Sequence, residues 1–350
     1  MNIQQLFKNA IERGASDIHL VANYMPTLRI NNELYPERNF SVLTSDDIKD
    51  ALIMILSEEQ KDNLFANKEL DFSYEFEGNR FRVNAYFSKN TYAAAFRLIG
   101  TGIRTIEELS LPLFFHNFAT YHQGLVLITG PTGEGKSTTL ASVINEINQK
   151  YSKHIITIED PIEYVYAQGR SIVSQRELHQ DTHSWTVALK SVLREDPDVV
   201  LIGEMRDYET IQMALTIAET GHLVFSTLHT ASAPETIDRI IDVFPSVQQN
   251  QVRMQLSSVL KAVVAQRLLP NLENTGRIPA LEVLFNVPAV ASSIRESRTH
   301  LLTNIMETGE ADGMYLFEKY LTNLFEKGLI TRDVAYEYAL RPSELKRFLP

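Results

Sequence analysis

The sequence predicts an α/β protein: a domain built on a mainly parallel sheet, preceded by a smaller α+β domain. Three observations predict it. From about residue 120 onward, short continuous apolar runs alternate with stretches whose apolar residues recur at helical spacing, the pattern of buried parallel strands covered by helices on both faces. In the first third of the chain the strand-like runs instead alternate apolar and polar, as in a sheet with one solvated face. At 350 residues, with 44% apolar and 22% charged residues, the chain has an ordinary globular composition and length enough for two cores.

The elements follow in order. MNIQQLFKNAIERGASD places Ile3, Leu6, Phe7, Ala10 and Ile11 at helical spacing, which reads as an amphipathic helix rather than a secretory leader. LRINNELYP reads as a hairpin turning on Asn31 and Asn32. LDFSYEF and RFRVNAYF read as two more strands, with Glu77, Gly78 and Asn79 as the turn between them. Phe81, Val83, Ala85 and Phe87 share one face of the second strand; Arg80, Arg82, Asn84 and Tyr86 share the other. Two readings of that arginine face stay open: a solvated sheet surface, or a cationic surface aimed at an anion.

IGTGIRTIEELSLP has glycines at 100 and 102, Pro112 and no strong period. It is the expected linker, 99–112, between domains 1–98 and 113–350. GLVLITG is then a buried strand, and Leu140, Val143, Ile144 and Ile147 mark a helix face. HIITIED is a strand; Trp185, Ala188, Leu189 and Val192 mark the next helix. DVVLIGE is a strand; Ile211, Ala214, Leu215 and Ala218 mark a helix that stops at Gly221, a residue suited to a left-handed cap. HLVFSTL is a strand. From about Ser232 the remainder is expected to be mostly helical, beginning with the stripe Ile237, Ile240, Ile241 and Phe244.

Charge and composition narrow the function. The net charge of −11 disfavours a protein that holds nucleic acid by bulk electrostatics, although a local basic groove stays open. With no cysteine there are no disulfides and no thiolate metal sites, which suits a reducing cytosol. No apolar run approaches the roughly 18 residues of a membrane span.

GPTGEGKS, Gly130 to Ser137, fits the phosphate-loop pattern of two glycines spaced by four residues, then lysine and a hydroxyl, with a strand before it and a helix after it. Gly130, Gly133 and Gly135 let the backbone curl so that main-chain N–H groups point at phosphate oxygens. Pro131, Thr132 and Glu134 fill the loop, and the helix that follows adds its positive N-terminal end through Lys136, Ser137 and Thr138. Lys136 reaches the β- and γ-phosphates, and the Ser137 hydroxyl ligates Mg²⁺, so the expected cofactors are ATP and Mg²⁺. Glu134 is expected to point into solvent, because a carboxylate turned inward would repel phosphate.

Hydrolysis also needs carboxylates at the carboxyl ends of neighbouring strands. HIITI runs into Glu159, Asp160 and Glu163. DVVLIG runs into Glu204, with Gly203 where an aspartate is common, so Glu204 is the expected acid for the metal's water shell. His222 and His229 bracket the strand HLVFSTL. Two readings of these histidines stay open: a satisfied core residue, or, at a strand end near nucleotide, a sensor of the γ-phosphate.

ASDIHL, FRVNAYF, GPTGEGKSTTL, ITIEDPIEY, LREDPDVVLIGEMRD, AETGHLVFSTLHT, TIDRIIDVFP and AQRLLP occur in this order, and together they resemble the type IV pilus retraction ATPases, the PilT and PilU group of the secretion ATPase superfamily. The resemblance implies a RecA-like P-loop ATPase domain after a PAS-like N-terminal domain. It makes Glu163 the catalytic base, Glu204 the Walker B acid, and His222 and His229 the His box. It assigns Arg82 and Arg97 to the triphosphate bound between domains. It also implies a homohexameric ring in the cytoplasm, peripheral at the inner membrane, acting on a pilus platform protein and working beside a paralogous retraction ATPase.

Three departures stand out. Glu134 replaces a small serine or threonine. The C-terminal retraction motif reads AVASSIRE, Ala289 to Glu296, with Ala291 at its first arginine. The four-cysteine zinc site of the extension ATPases is missing. Two other readings stay open: a DNA translocase on a similar core, marked by DNA-stimulated ATPase activity, and an accessory ring that mainly supports another motor. No guanine signature N-K-x-D occurs, which disfavours GTP.

Overall fold

Alternation in the N-terminal third becomes a six-stranded antiparallel sheet. The computed structural model describes residues 2–30, 33–99 and 102–349. It divides into two units, Met1–Gly102 with Pro161–Val165, and Ile103–Asp160 with Tyr166–Pro350. The first contains α1 (Ile3–Glu12), β1 (Asp17–Val21), β2 (Thr27–Ile30), β3 (Glu33–Pro36), α2 (Ser45–Ile55), α3 (Glu58–Asn67), β4 (Glu69–Phe76), β5 (Asn79–Ser88) and β6 (Thr91–Ile99). Its strand order is β3-β2-β1-β6-β5-β4.

One sheet face carries the core. Helix α1 buries Ile3, Leu6, Phe7 and Ala10, and the Phe7 ring sits 4.8 to 5.5 Å from the rings of Tyr74, Phe76, Phe81 and Phe96. Reciprocal capping boxes, Thr44 with Asp47 and Ser57 with Gln60, start α2 and α3. The β2–β3 hairpin forms as the alternation requires, with Ile30 opposite Glu33; its turn residues Asn31 and Asn32 lie outside the described residues. The β4–β5 turn is shorter than expected: Glu77 and Gly78 have φ of 48° and 74°, the two-residue geometry that matches strand twist, and Asn79 already pairs with Phe76.

The second unit follows with α4 (Phe115–Phe118), β7 (Gly124–Thr129), α5 (Lys136–Lys150), β8 (His154–Glu159), β9 (Ile172–Glu177), α6 (Trp185–Val192), β10 (Val199–Ile202), α7 (Tyr208–Glu219), β11 (Leu223–Leu228), α8 (Ala233–Asp242), α9 (Ser246–Val259), β12 (Leu260–Pro270) and β13 (Arg277–Phe285). Helices α10 (Pro288–Arg295), α11 (Leu302–Thr308), α12 (Phe317–Glu326), α13 (Arg332–Tyr338) and α14 (Pro342–Phe348) complete it. The sheet order is β13-β12-β7-β11-β10-β8-β9, with every neighbouring pair parallel except β12–β13.

Continuous apolar strands arise because both sheet faces are covered. Leu125, Leu127, Ile156, Ile158, Val200 and Ile202 pack toward α6, α7, α8 and α9. Val126, Ile128, Ile155, Leu201 and Phe225 pack toward α5 and α4. Ile106 and Leu111 belong to this second core, so the latter half of the expected linker is built into the second unit.

The remainder after Ser232 is mostly helical, as expected, but it also contains two strands that the pattern did not give. β12 and β13 form a long hairpin that extends the main sheet beyond β7. β12 follows α9 with no glycine or proline between them, and periodicity alone does not separate a buried apolar strand from a buried helix. β9 also escaped the pattern, because it is an edge strand of mixed, mostly half-buried residues.

Candidate nucleotide site

The parallel register brings four strand ends to one edge of the main sheet. Thr129 of β7 pairs with Leu228 of β11, Ser226 with Ile202 of β10, and Ile202 with Ile158 of β8. The loop from Gly130, the acid Glu204 and the ring of His229 therefore leave the same carboxyl edge, where ligands of open α/β sheets sit.

Local geometry forms the loop. Gly130 has φ 141°, and a Cβ there would lie 2.3 Å from Gln266 O, so only glycine fits between β7 and β12. Gly135, at φ 76°, is the N-cap of α5. Lys136, 8% exposed, donates Nζ to Gly130 O at 2.7 Å and Pro131 O at 2.9 Å. A buried ammonium ringed by carbonyls and set at a helix N-terminus suits a polyphosphate, whose oxygens can replace those carbonyls. Ser137 lies one residue on, in the first turn of α5, and supplies a hard oxygen donor suited to Mg²⁺.

Glu134 does not point into solvent. Its carboxylate accepts the main-chain N–H of Leu268 on β12, its carbonyl accepts Gln266 Nε2 at 2.7 Å, and it is half-buried. A main-chain donor from a neighbouring strand, rather than water, satisfies the carboxylate.

Glu204 is fixed at both oxygens. Oε1 accepts from Arg206 at 2.6 Å and Oε2 from His229 Nε2 at 3.1 Å, with the carboxylate side chain 17% exposed. Thr227 Oγ1 donates to Gly203 O at 2.8 Å, and Met205 N donates to Thr227 O at 3.1 Å, anchoring the peptide on each side of Glu204. A Cβ at Gly203 would meet the Glu159 backbone at 3.4 Å and the Trp185 ring at 3.5 Å, which are ordinary contact distances. Glu159 is buried at the end of β8 and accepts Thr157 Oγ1 at 2.6 Å. Gln175 Nε2 of β9 also donates to it at 3.4 Å, so its side chain is held by the strand it ends and by the neighbouring strand.

Residues 102–312 match the model of the family described as type II/IV secretion system protein. The chain is 43% identical over 343 residues to the type IV pilus retraction ATPase PilT of Pseudomonas aeruginosa, spanning 98% of this chain and 99% of that one. It is 39% identical over 347 residues to the type IV pilus ATPase PilU of the same organism, spanning 99% and 91%. A crystal structure of the pilus retraction motor PilT with bound ADP is similar across 99% of both chains, with a TM-score of 0.92 and 44% identity. The chain belongs to the type II/IV secretion ATPase family, among the type IV pilus retraction ATPases.

The retraction-ATPase assignments distribute unevenly over this structure. His229 joins Glu204, but His222 does not come to the loop. It precedes β11 at the opposite edge, about 23 Å away at the usual rise per strand residue, and its Nδ1 faces Ile217 O at the end of α7. Glu163 is exposed on the irregular connection after β8, within Pro161–Val165, which groups with the first unit. It is therefore outside the cluster that the second unit builds alone.

Arg82 and Arg97 lie on the solvated face of the first unit, directly opposite each other on β5 and β6. Asp17 of β1 pairs with Arg97 on one side and Arg29 of β2 on the other. Its carboxylate holds Arg97 Nε at 2.9 Å and lies 3.8 Å from Arg29 Nε, while Arg97 stays 71% exposed. Arg97 and Arg29 thus share one carboxylate, and Arg82 stands beside Arg97 on the next strand. On α10, Ile294 is buried and Arg295 and Glu296 are exposed, with Ala291 half-buried between them and the start of the helix.

Sequence reasoning missed Arg206, Asp17, Arg29 and Gln266. The alternation of Asp17 and His19 with Ile18 and Leu20 was the available signal for Asp17. Arg206 had only its place two residues after Glu204. Gln266 had none, since its strand was not recognised.

Proposed function

We propose that this chain is a hexameric, Mg²⁺-dependent ATPase that drives type IV pilus retraction. The observation that supports it most is the meeting, at one sheet edge, of the glycine loop with its buried Lys136 and the doubly held Glu204.

The loop amides and Lys136 hold the β- and γ-phosphates. Ser137 would hold Mg²⁺ and Glu204 would hold its water shell, and the ion would supply charge neutralisation on the transferred phosphoryl group. Arg206 and His229 fix the direction of the Glu204 carboxylate, and His229 is placed to sense the γ-phosphate. Glu163 orients and deprotonates the attacking water. The Arg82–Arg97 row, supported by Asp17, is the cationic surface that closes on the triphosphate, and it acts across a subunit boundary. Hydrolysis then weakens that closure, and the resulting domain movement is passed to an inner-membrane platform protein from the cytoplasmic side. None of the helices among the described residues is long and apolar enough to cross a membrane.

The test has two arms. Purified protein is assayed for Mg²⁺-dependent ATP hydrolysis, with and without DNA, and the gene is deleted in its host while surface fibres are imaged. Excess fibres that do not shorten support retraction. Bald cells, or hydrolysis that requires DNA, overturn it. Ala291, in place of the first arginine of the retraction motif, favours a second reading as an accessory ring beside a paralogous motor; negligible turnover by the purified protein alone would select that reading.

A further inference from the structure

β12 runs past the end of its parallel neighbour. Its pairing with β7 ends at Ala265 opposite Thr129, while its pairing with β13 continues to Pro270. The overhanging end borders the nucleotide loop. Leu268 stands opposite Pro279, which has no N–H, and the Leu268 N–H is turned to the loop side, where Glu134 accepts it.

This bond is one of a set. Gln266, 2% exposed, donates to Glu134 O at 2.7 Å and accepts Thr139 Oγ1 from α5 at 2.9 Å. Arg277, the first residue of β13, donates to Gly133 O at 3.3 Å. Among the described residues no lysine or arginine forms an ion pair with Glu134, so its carboxylate serves as an acceptor for main chain.

We propose that Glu134 is a positioning residue: it straps the crown of the nucleotide loop to the overhanging end of β12 and holds the amide cradle in its binding shape before nucleotide arrives. The proposal rests on the nucleotide site described above. Three glycines within six residues give the loop freedom that binding must otherwise remove, and a carboxylate-to-amide bond is among the stronger ways to remove it in advance. The Leu268 N–H also satisfies the charge of the carboxylate, which is how an acid is accommodated in this loop.

The test compares the parent, Glu134→Ala and Glu134→Gln as full-length protein. Mg²⁺–ADP binding is measured by calorimetry, and amide hydrogen exchange is followed at Leu268 and across 131–136 without nucleotide. The alanine variant should bind ADP about tenfold more weakly, about 1.4 kcal/mol, and expose the Leu268 amide to exchange. Its KM for ATP should rise by more than its kcat falls. The glutamine variant keeps an acceptor oxygen of the same reach and should recover most of the lost affinity. Glu134→Ala binding ADP as tightly as the parent or more tightly, or a Leu268 amide that stays protected, would overturn the strap. A parent that binds no ADP would instead overturn the nucleotide reading itself.

Discussion

Replacing Arg341 by alanine would strand two carboxylates inside the second unit. Glu282 of β13 and Glu318 of α12 have side chains that are 0% exposed, and the guanidinium spans them, 2.8 Å from Glu282 Oε2 and 3.2 Å from Glu318 Oε2. After substitution the main-chain bonds would remain: Ala233 N–H to Glu282 Oε1 at 2.8 Å, and the residue-341 N–H to Glu318 Oε1 at 2.7 Å. Removing one partner of a buried ion pair costs about 3–5 kcal/mol. Arg341 is 27% exposed, so water reaches the vacated position and the lower end, ~3 kcal/mol, is expected. That is a large part of a typical stability of about 5–15 kcal/mol.

The loss has a definite pH dependence. Burial pushes the Glu282 carboxyl above its ordinary value. A raised folded pKa means that its contribution to stability is fully present below the unfolded value and lost as pH rises through the folded one. Arg341 offsets that loss when Glu282 is charged. The deficit of the variant should therefore be largest at mildly alkaline pH and shrink as pH falls toward the ordinary glutamate range. Urea unfolding at about pH 8 and about pH 5, followed at a probe in the second unit, measures it. A deficit below ~1 kcal/mol at the higher pH, or one that grows on acidification, would refute the assignment of these carboxylates as a charge burden held by Arg341.

Three further outcomes are expected. Lys136→Ala should weaken nucleotide binding, whereas Glu204→Ala should bind nucleotide but hydrolyse it ~10²–10⁴-fold more slowly; parent-rate hydrolysis by the second variant would remove Glu204 from the chemistry. Arg82→Ala subunits mixed with Lys136→Ala subunits should regain part of the activity each lacks, and no regain in steady-state phosphate release would argue against action across a boundary. Gly130→Ala places a methyl group 2.3 Å from Gln266 O at φ 141°, so loop and β12 must separate. Calorimetry should show little nucleotide binding, and unchanged affinity would show that the loop does not need this close approach.

Much of the site was legible because its residues are contiguous. The loop from Gly130 to Ser137 needs backbone curvature, an ammonium and a hydroxyl within eight positions, and all three are set by local sequence. Glu204 was legible because an apolar strand of fixed rise ends where it begins. His222 shows the limit of that reasoning. A strand has two ends, and sequence spacing placed both histidines beside the strand without saying that only the His229 end lies at the loop; parallel pairing of β11 with β7 decided it. Glu134 shows the limit from the other side. Electrostatics alone sent its carboxylate to solvent, because the Leu268 N–H that holds it belongs to a strand 134 residues away.

The sequence by itself determined the two sheet types, the helices that cover the main sheet, and the phosphate loop, since each follows from short-range period and from what a single residue type allows. Only the tertiary structure decided that β12 and β13 extend the main sheet, that Gln266 and Leu268 tether the loop, and that Arg206 and His229 aim Glu204. These are encounters between segments far apart in the chain, and an apolar run carries the same signal whether it becomes a strand or a helix. What chooses between them is the unpaired edge of β7, which exists only once the sheet has formed.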